Sequence, residues 1–577
     1  MPLTDGDSSG SNQCKSIANE VVDVNFTGVG RHQSSSVDIL KLIEMWQLAI
    51  ITLIFGVLLH KTLQIGKRDP RMPPGPPTLP VLGNSHQIPI TGLYKQLREW
   101  ALQYGSIFSL KVGPSSIIVL CDREAIHKLL VEKGSIYSDR PPSYVGRLLT
   151  HGDHLALEQM DTTWRSKRKV ISHNFSPKRL DEQHFRVQEA EATVLMTRLL
   201  DKPEGFFNEI RRYTASVVTS ITYGFRAPDM NSFWGYGVYD VMAKWTASME
   251  PGAAPPVDVF TFLRYIPSSM AFWKRRALDA GKTMDATWSK ARRLVEERRA
   301  RGERRNCIID GLLDEYEEKG WPEQISQHAF TNLMGEIIEG GADTTAAQLL
   351  TLVLAFALHS DVQRKAQVEI DEACGSGRSP RWDDFSELPY VNCIVKEGMR
   401  WRPVTNHAET SSAVTALPHK VRQDDEHNGM LIPKDSTIFI PTWALHHTEE
   451  NYPDAERFDP DRYLKHPKLA NDYAGSPEWE NRDHYNYGAG RRICPGIHLA
   501  ERNMWRIASK LLWAFEFAEP VDPVTGKVVL LDPHAYNPGI LQAPLEFHVR
   551  ITPRSQAHIE TIRREFKEAE ALLAQYD

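Results

Sequence analysis

The chemistry this 577-residue chain can support starts at one cysteine. Cys494 lies in "YGAGRRICPG", residues 487–496, between glycines, two arginines and a proline. Pro495 suits the first turn of a helix, and "GIHLAERNMWRIASKLLWAF" continues with a helical pattern. A sulfur there meets free backbone N–H groups and the positive end of the helix dipole, which favour a thiolate. Gly488, Gly490 and Gly496 clear side chains where the backbone turns or a flat ligand comes close. Arg492 adds a rigid fork of donors suited to carboxylates. Together they specify a thiolate beneath a large planar ligand that carries carboxylates. Cys14, Cys121, Cys307, Cys374 and Cys393 form no C-x-x-C pair, which argues against a zinc cage or a disulfide framework. The bulk of the chain therefore belongs in a reducing compartment.

Three other spacings bear on function. "EGGADTT", residues 339–345, interrupts a long apolar helix. Two glycines inside a helix cost about 1 kcal/mol each relative to alanine. Thr344 can bond back to the Gly340 carbonyl and open the helix there; close packing against another helix is the alternative. "TTWRSKRKV", residues 162–170, sets Trp164 and Arg168 at W-x-x-x-R spacing on a basic face. A solvated helix face would look the same, and Arg165, Lys167 and Lys169 could offer a positive patch to an acidic redox partner. Glu397 and Arg400 form an E-x-x-R pair. Glu296–Arg299 and Glu560–Arg563 repeat that pattern, so it gains weight only from "RWRP" after it and "FDPDRY", residues 458–463, downstream.

Haem with a proximal thiolate meets the requirements set by Cys494, the sulfur pushing electron density onto iron to favour O–O cleavage. The chain resembles the cytochrome P-450 family of haem-thiolate monooxygenases. The family's ligand loop reads F-x-x-G-x-R-x-C-x-G, and residues 487–496 match it except for Tyr487. The resemblance implies a mainly α fold with minor β and haem b held by Cys494 as axial ligand, with Gly488 in the cofactor loop. Arg492, Trp164, Arg168 and His419 would serve the propionates. Thr344 would hold dioxygen and its waters, and Asp343 would help relay protons. Glu397, Arg400 and Arg462 would form a buried structural cluster, although Asp461 and Tyr463 depart from the family's P-E-R-F segment. "NHAETSSAVTA", residues 406–416, is an apparent insertion of about eight residues beside the pocket, and makes His407 a rival to His419.

By the same resemblance the reaction inserts one atom of O2 into a C–H bond of a mid-sized organic substrate. NADPH-derived electrons would come from a separate flavoprotein reductase, since no flavin or nicotinamide fingerprint is evident here. Microsomal members from fungal secondary metabolism are the most similar in pattern, which suggests a phenolic or polyketide intermediate. Tyr144 and Arg147 in the loop 141–156, Thr405 and Asn406, and residues 537–544 are expected to border the cavity. Oxidative phenol coupling or ring closure is a second reading. A non-catalytic haem-binding membrane protein is a third, opposed by the Asp343-Thr344 pair.

The elements that must position these groups follow from patterning. Lys and Arg number 68 against 74 Asp and Glu, a net charge of −6 without a basic block, which argues against a nucleic-acid partner. Residues 85–555 read as one catalytic domain, with strands within 106–121 and 545–551. Residues 45–65 carry an apolar run near the ~20 residues that span a bilayer, with Lys61 able to snorkel. Lys61, Lys67, Arg68 and Arg71 follow it, while Asp38 and Glu44 offset Lys41 before it. A single-pass anchor in the lipid of the endoplasmic reticulum, with a cytosolic catalytic domain, is expected. Residues 1–37 would be a disordered lumenal tail with a glycosylation sequon at Asn25. "RMPPGPPTLPVLGN", residues 71–84, reads as a stiff spacer. Residues 556–577 read as a helical tail with Ile559, Ile562, Phe566, Ala569 and Leu573 on one face.

Overall fold

The computed structural model describes residues 34–89, 92–250, 252–404 and 417–577. Asn25, the tail up to residue 33, and Thr405, Asn406, His407 and the rest of the 406–416 insertion lie outside the described residues. The chain divides into two compact units, residues 1–62 and 63–577.

Helix α1 spans Ser34–Gln64, longer than the apolar run alone suggests, because the flanking leucines, isoleucine and lysine sustain helix. Lys41–Gln64, 24 residues, is long and apolar enough to cross a membrane, and none of it is buried. Its two threonine hydroxyls are internally satisfied: Thr52 and Thr62 donate to the Leu48 and Leu58 carbonyls at 2.8 Å. A helix that must pass through hydrocarbon needs that.

The proline-rich segment is fastened down rather than free. Proline supplies carbonyls without N–H groups, and neighbours use them. Arg68 donates to the Gly75 and Pro76 carbonyls at 2.8 Å, Asn84 to those of Pro76 and Pro77 at 3.1 Å, and the Ser109 N–H to Pro74 at 2.7 Å. Ser109 belongs to β1 (Ile107–Val112), which turns back antiparallel into β2 (Ser115–Leu120). Two short strands, β3 (His419–Lys420) and β6 (Thr437–Phe439), complete this sheet in the order β1-β2-β6-β3. The pairing of His419 with Ile438 places the imidazole deep inside the fold. Between them β4 (Asp425–His427) and β5 (Met430–Ile432) form a hairpin whose Asn428-Gly429 turn has φ of 51° and 74° at its centre. Strand β7 (Phe515–Ala518) pairs with β8 (Arg550–Pro553). Of the expected strand 545–551, only Arg550 and Ile551 join a ladder. Leu545 instead donates its N–H to Ala535.

Helices make the rest: α2 (Thr162–Asn174), α3 (Phe185–Asp201), α4 (Phe206–Tyr223), α5 (Phe233–Met249), α6 (Phe272–Ala300), α7 (Gln327–Leu358), α8 (Pro389–Trp401), α9 (Ile497–Ala514) and α10 (Gln556–Leu573). Ser326 caps α7 by accepting from Ala329 N–H at 3.0 Å. Being apolar on nearly all sides, α7 sits in the core and packs against α4, α5, α6, α8 and α9. Helix α10 lays Ala569 and Leu573 on Ala190 and Val194 of α3, with Ile562 buried and Ile559 and Phe566 half-buried on the same side.

Glu397 and Arg400 of α8 are fully buried and doubly bonded, both contacts 2.7 Å. Arg400 also donates to the carbonyls of His446, Ala455 and Arg457, while Glu397 accepts the Asp459 N–H at 2.8 Å. Arg462 approaches Glu397 at 3.5 Å. From His446 the tie runs onward, its Nε2 accepting the Tyr485 N–H at 2.9 Å, two residues before the cysteine loop. Removing one member of such a pair leaves a buried charge uncompensated. Arg400→Met is expected to cost about 3–5 kcal/mol of stability, read as a lowered denaturant midpoint and reduced haem content.

Candidate active site

The cysteine loop is built by its turns. Gly488 and Gly490 have φ of 74° and 62°, and a Cβ on Gly490 would lie 1.9 Å from the Leu130 carbonyl oxygen. The loop closes on itself where the Cys494 N–H donates to Tyr487 at 2.8 Å. Gly496 N-caps α9, so Pro495 stands one residue before the cap and not in the first turn as expected, while the sulfur still meets the Gly496 N–H at the helix start. The expectation of a thiolate stabilised by the loop itself requires correction. Burial pushes the thiol up from its ordinary value, and the Gly496 N–H and Arg168 only partly oppose it. A bound cation would supply the missing charge, because metal coordination deprotonates a thiol outright. The Tyr487 ring is held in the loop, but its buried hydroxyl has no hydrogen-bond partner among the described residues.

Cys494, Gly488, Arg492, Trp164, Arg168, His419 and Thr344 all line one cavity of about 400 Å³. Thr344 donates to the Gly340 carbonyl at 2.6 Å, yet α7 stays α-helical through that turn. The two glycines have separate uses. A Cβ on Gly340 would meet nothing within 4 Å, so Gly340 opens the cavity. One on Gly341 would lie 2.6 Å from Val218 of α4, so Gly341 permits close helix packing. Asp343 does not line the cavity. Successive helix positions are turned by about 100°, and Asp343 lies instead near Arg211 and Tyr239. Burial raises its carboxyl above the usual range, with Arg211 opposing.

Arg492 donates to the carbonyls of Ser138 (2.7 Å), Leu155 (3.2 Å) and Glu158 (2.6 Å) and lies over the Trp164 ring at 4.1 Å. Arg168 donates to the Ile493 carbonyl, and Trp164 Nε1 to Leu155 at 3.2 Å. Arg140, which sequence reasoning missed, donates to Leu417 (2.6 Å), Pro418 (2.7 Å) and Ala156 (2.9 Å). His419 Nδ1 is 2.8 Å from the Tyr137 carbonyl oxygen. Burial, then Arg140, depresses this imidazole to about 3. Burial and the neighbouring arginines lower Arg140 to about 9; burial and Arg168 lower Arg492 to about 10. Among the described residues no carboxylate lies within 4.0 Å of Arg140, Arg168 or Arg492. Three buried guanidiniums without a close ion pair, of which Arg492 alone feels Asp139 and Glu158 at longer range, suit a ligand carrying carboxylates, and Cys494 suits its iron. These residues fit haem. Arg140 follows Asp139 and precedes two prolines, a context that no spacing rule marks.

The cavity's opposite wall holds groups that the sequence reading did not assign. His154 Nε2 lies 3.2 Å from Glu339 Oε2, whose Oε1 accepts from Trp288 Nε1 at 2.8 Å. Glu336 Oε2 accepts the Leu155 N–H at 2.8 Å. Burial pulls the His154 imidazole down, but Glu336 and Glu339 outweigh it and raise it to about 9. Burial pushes Glu336 up to about 7, against His154 and Lys167. The signal was available: Glu336 and Glu339 stand three apart in an otherwise apolar helix. Of the residues expected to make the pocket polar, Tyr144 packs its ring edge-on to Trp273 and Arg147 is exposed; neither lines the cavity. Leu155, Ala156, Val404, Ile540 and Leu541 from the expected segments do. Lys167 is fully buried and paired with Glu158, so it cannot join a surface patch, whereas Arg165 and Lys169 are exposed.

This geometry defines a haem-thiolate class of protein, and comparison with known sequences agrees. A family model for cytochrome P-450 matches residues 73–536. The chain is 41% identical over 522 residues to the cytochrome P-450 monooxygenase acuD of Aspergillus aculeatus, covering 90% of this chain and 96% of that one. It is 41% identical to macC of Penicillium terrestre (88% and 94% covered) and 40% identical to patI of Aspergillus clavatus (91% and 98%), both cytochrome P-450 monooxygenases. The chain belongs to the cytochrome P-450 family.

A carboxyl raised in the fold favours the native state in its protonated form. That contribution is complete below the ordinary value of 4.5 and is lost as pH rises through about 7. Glu336→Gln escapes the loss. Its stability relative to the unaltered protein is expected to rise by on the order of 3 kcal/mol between pH 4.5 and 7, measured as the difference in urea midpoints across that range.

Proposed function

We propose that the chain is a single-pass, endoplasmic-reticulum monooxygenase with a cytosolic catalytic domain. It inserts one atom of dioxygen into a C–H bond of a mid-sized phenolic or polyketide intermediate of secondary metabolism. One observation carries this reading: the Cys494 sulfur, the Thr344 hydroxyl and three guanidiniums without an acid partner border one cavity. Bound haem supplies the reductive activation of dioxygen. Cys494 would hold the iron, and Arg140, Arg168 and Arg492 would receive its carboxylates; the Trp164 N–H is spent on Leu155 and the neutral His419 donates its Nδ1–H to Tyr137, so these two shape the wall. Thr344, both donor and acceptor, orients water in the gap above Gly340 and passes a proton inward. Asp343, buried one residue away beside Arg211, is the proton reserve behind the helix. The apolar residues Leu155, Val404, Ile540 and Leu541 exclude bulk water from the substrate.

Electrons come from an NADPH-dependent flavoprotein reductase, a role supported by the lack of a flavin or nicotinamide fingerprint in this sequence and by the exposed Arg165 and Lys169. Helix α1 and the positive flank after it support anchoring in that orientation. Glu397, Arg400 and Arg462 act structurally, holding the segment that leads into the ligand loop.

The reduced, carbon-monoxide-treated protein should show the red-shifted band of a thiolate complex, and Cys494→Ala should abolish it. With reductase, NADPH and heavy-oxygen-labelled dioxygen, the product should gain one labelled atom. Coupled or cyclised product without label would replace hydroxylation with the oxidase reading. Thr344→Ala should keep the spectral band but lower product formed per NADPH consumed by about ten-fold or more. Deleting residues 1–62 should release the protein from membranes on alkaline extraction.

A further inference from the structure

The cavity wall formed by α7 and the 154–156 loop carries two polar atoms without a partner among the described residues. Glu336 Oε1 is buried without a hydrogen-bond partner, and so is the indole Nε1 of Trp245 on α5. Trp245 is only 9% exposed, and both residues line the cavity. An unmet buried donor or acceptor is destabilising, so a site that keeps one of each is suited to a ligand that satisfies both.

The surrounding contacts say which ligand. Glu339 is already committed, one oxygen to Trp288 and the other to His154. His154 is thereby neutralised, and its ring lies 5.9 Å from that of Trp245. What remains unpaired among the described residues is one oxygen on Glu336 and one donor on Trp245, both buried in residues that line the cavity. A cationic substrate would satisfy Glu336 and leave the indole N–H unmet. A carboxylate would satisfy the indole but be repelled by the Glu336 oxygen once that carboxyl ionises, above about pH 7. A hydroxyl both donates and accepts, and an acidic aromatic one bonds a carboxylate most strongly. The Trp245 and His154 rings suit a flat neighbour.

We propose that Glu336 and Trp245 form the recognition site for the hydroxyl of a phenolic substrate, which donates to Glu336 Oε1 and accepts from Trp245 Nε1. His154 and Glu339 are positioning residues that hold this wall in place. The proposal rests on the phenolic-substrate reading above and assigns it to particular atoms.

The test is calorimetric titration of the purified full-length holoprotein with ethylphenols and hydroxybiphenyls, each against its own methyl ether. The ether keeps the ring and loses the donor. At least one phenol should bind ten-fold or more tightly than its ether. In Glu336→Gln and Trp245→Phe, assayed separately, that ratio should fall to three-fold or less while ether affinity is kept. Phenols that bind no better than their ethers, or an unchanged ratio in both variants, overturn the proposal. The reduced carbon-monoxide band of each protein is recorded alongside. A normal band with no phenol preference refutes this recognition site and leaves the haem-thiolate reading standing; a missing band in the unaltered protein refutes that reading, whatever the calorimetry gives.

Discussion

Buried guanidiniums without close ion-pair partners are the constraint around which the cavity is organised. Arg140, Arg168 and Arg492 share one wall, each spending its donors on backbone carbonyls, and no described carboxylate comes within 4.0 Å of them. Carbonyl oxygens solvate a guanidinium but do not neutralise it, and the arginines lower one another's affinity for protons as a result. The carbonyls come from the 138–158 region, the strand leading to His419 and the cysteine loop itself. The same guanidiniums therefore tie three segments into one wall through the donors they spend on carbonyls. In the proposed reading, a carboxylate-bearing cofactor completes the charge balance.

The cysteine obeys the same logic with the sign reversed. A helix N-terminus and one nearby arginine only partly offset the burial that pushes the Cys494 thiol up from its ordinary value, and a bound metal would supply the missing charge. The loop's contribution is geometric: left-handed turns at Gly488 and Gly490, and a glycine where even one methyl would strike the Leu130 carbonyl. Behind it, the Glu397–Arg400 pair ties α8 to the His446 carbonyl and, through the His446 ring, to the backbone at Tyr485. Rigid placement of the sulfur thus depends on an ion pair in another helix.

On the far wall, α7 departs from the apolar pattern that its burial demands. Glu336 and Glu339 in a core helix are costly unless paired, and His154 and Trp288 pair only part of what they offer. Charged groups retained in an apolar wall call for a reason beyond packing. In the proposed reading they determine which molecule is held for oxidation.

Local rules made much of this legible. The Gly-x-Gly-x-x-x-Cys-Pro run, the glycine pair before Thr344, the hairpin within 106–121 and the apolar N-terminal helix depend on neighbours within a few residues, where dihedral preference and periodicity act directly. Other features depend on residues brought from far away. Lys167 looked like a surface cation until the fold placed Glu158 against it, and Arg140 had no local mark at all. Asp343 and Thr344 are adjacent in sequence but face different sides because a helix turns between them. The strand expected at 545–551 shortened because its partner β7 has only four residues. The sequence by itself determined the ligand loop, the class of cofactor it suits and the mainly helical fold. Only tertiary structure decided which charges are compensated, since that depends on burial and on partners hundreds of residues distant, neither of which is written in local order.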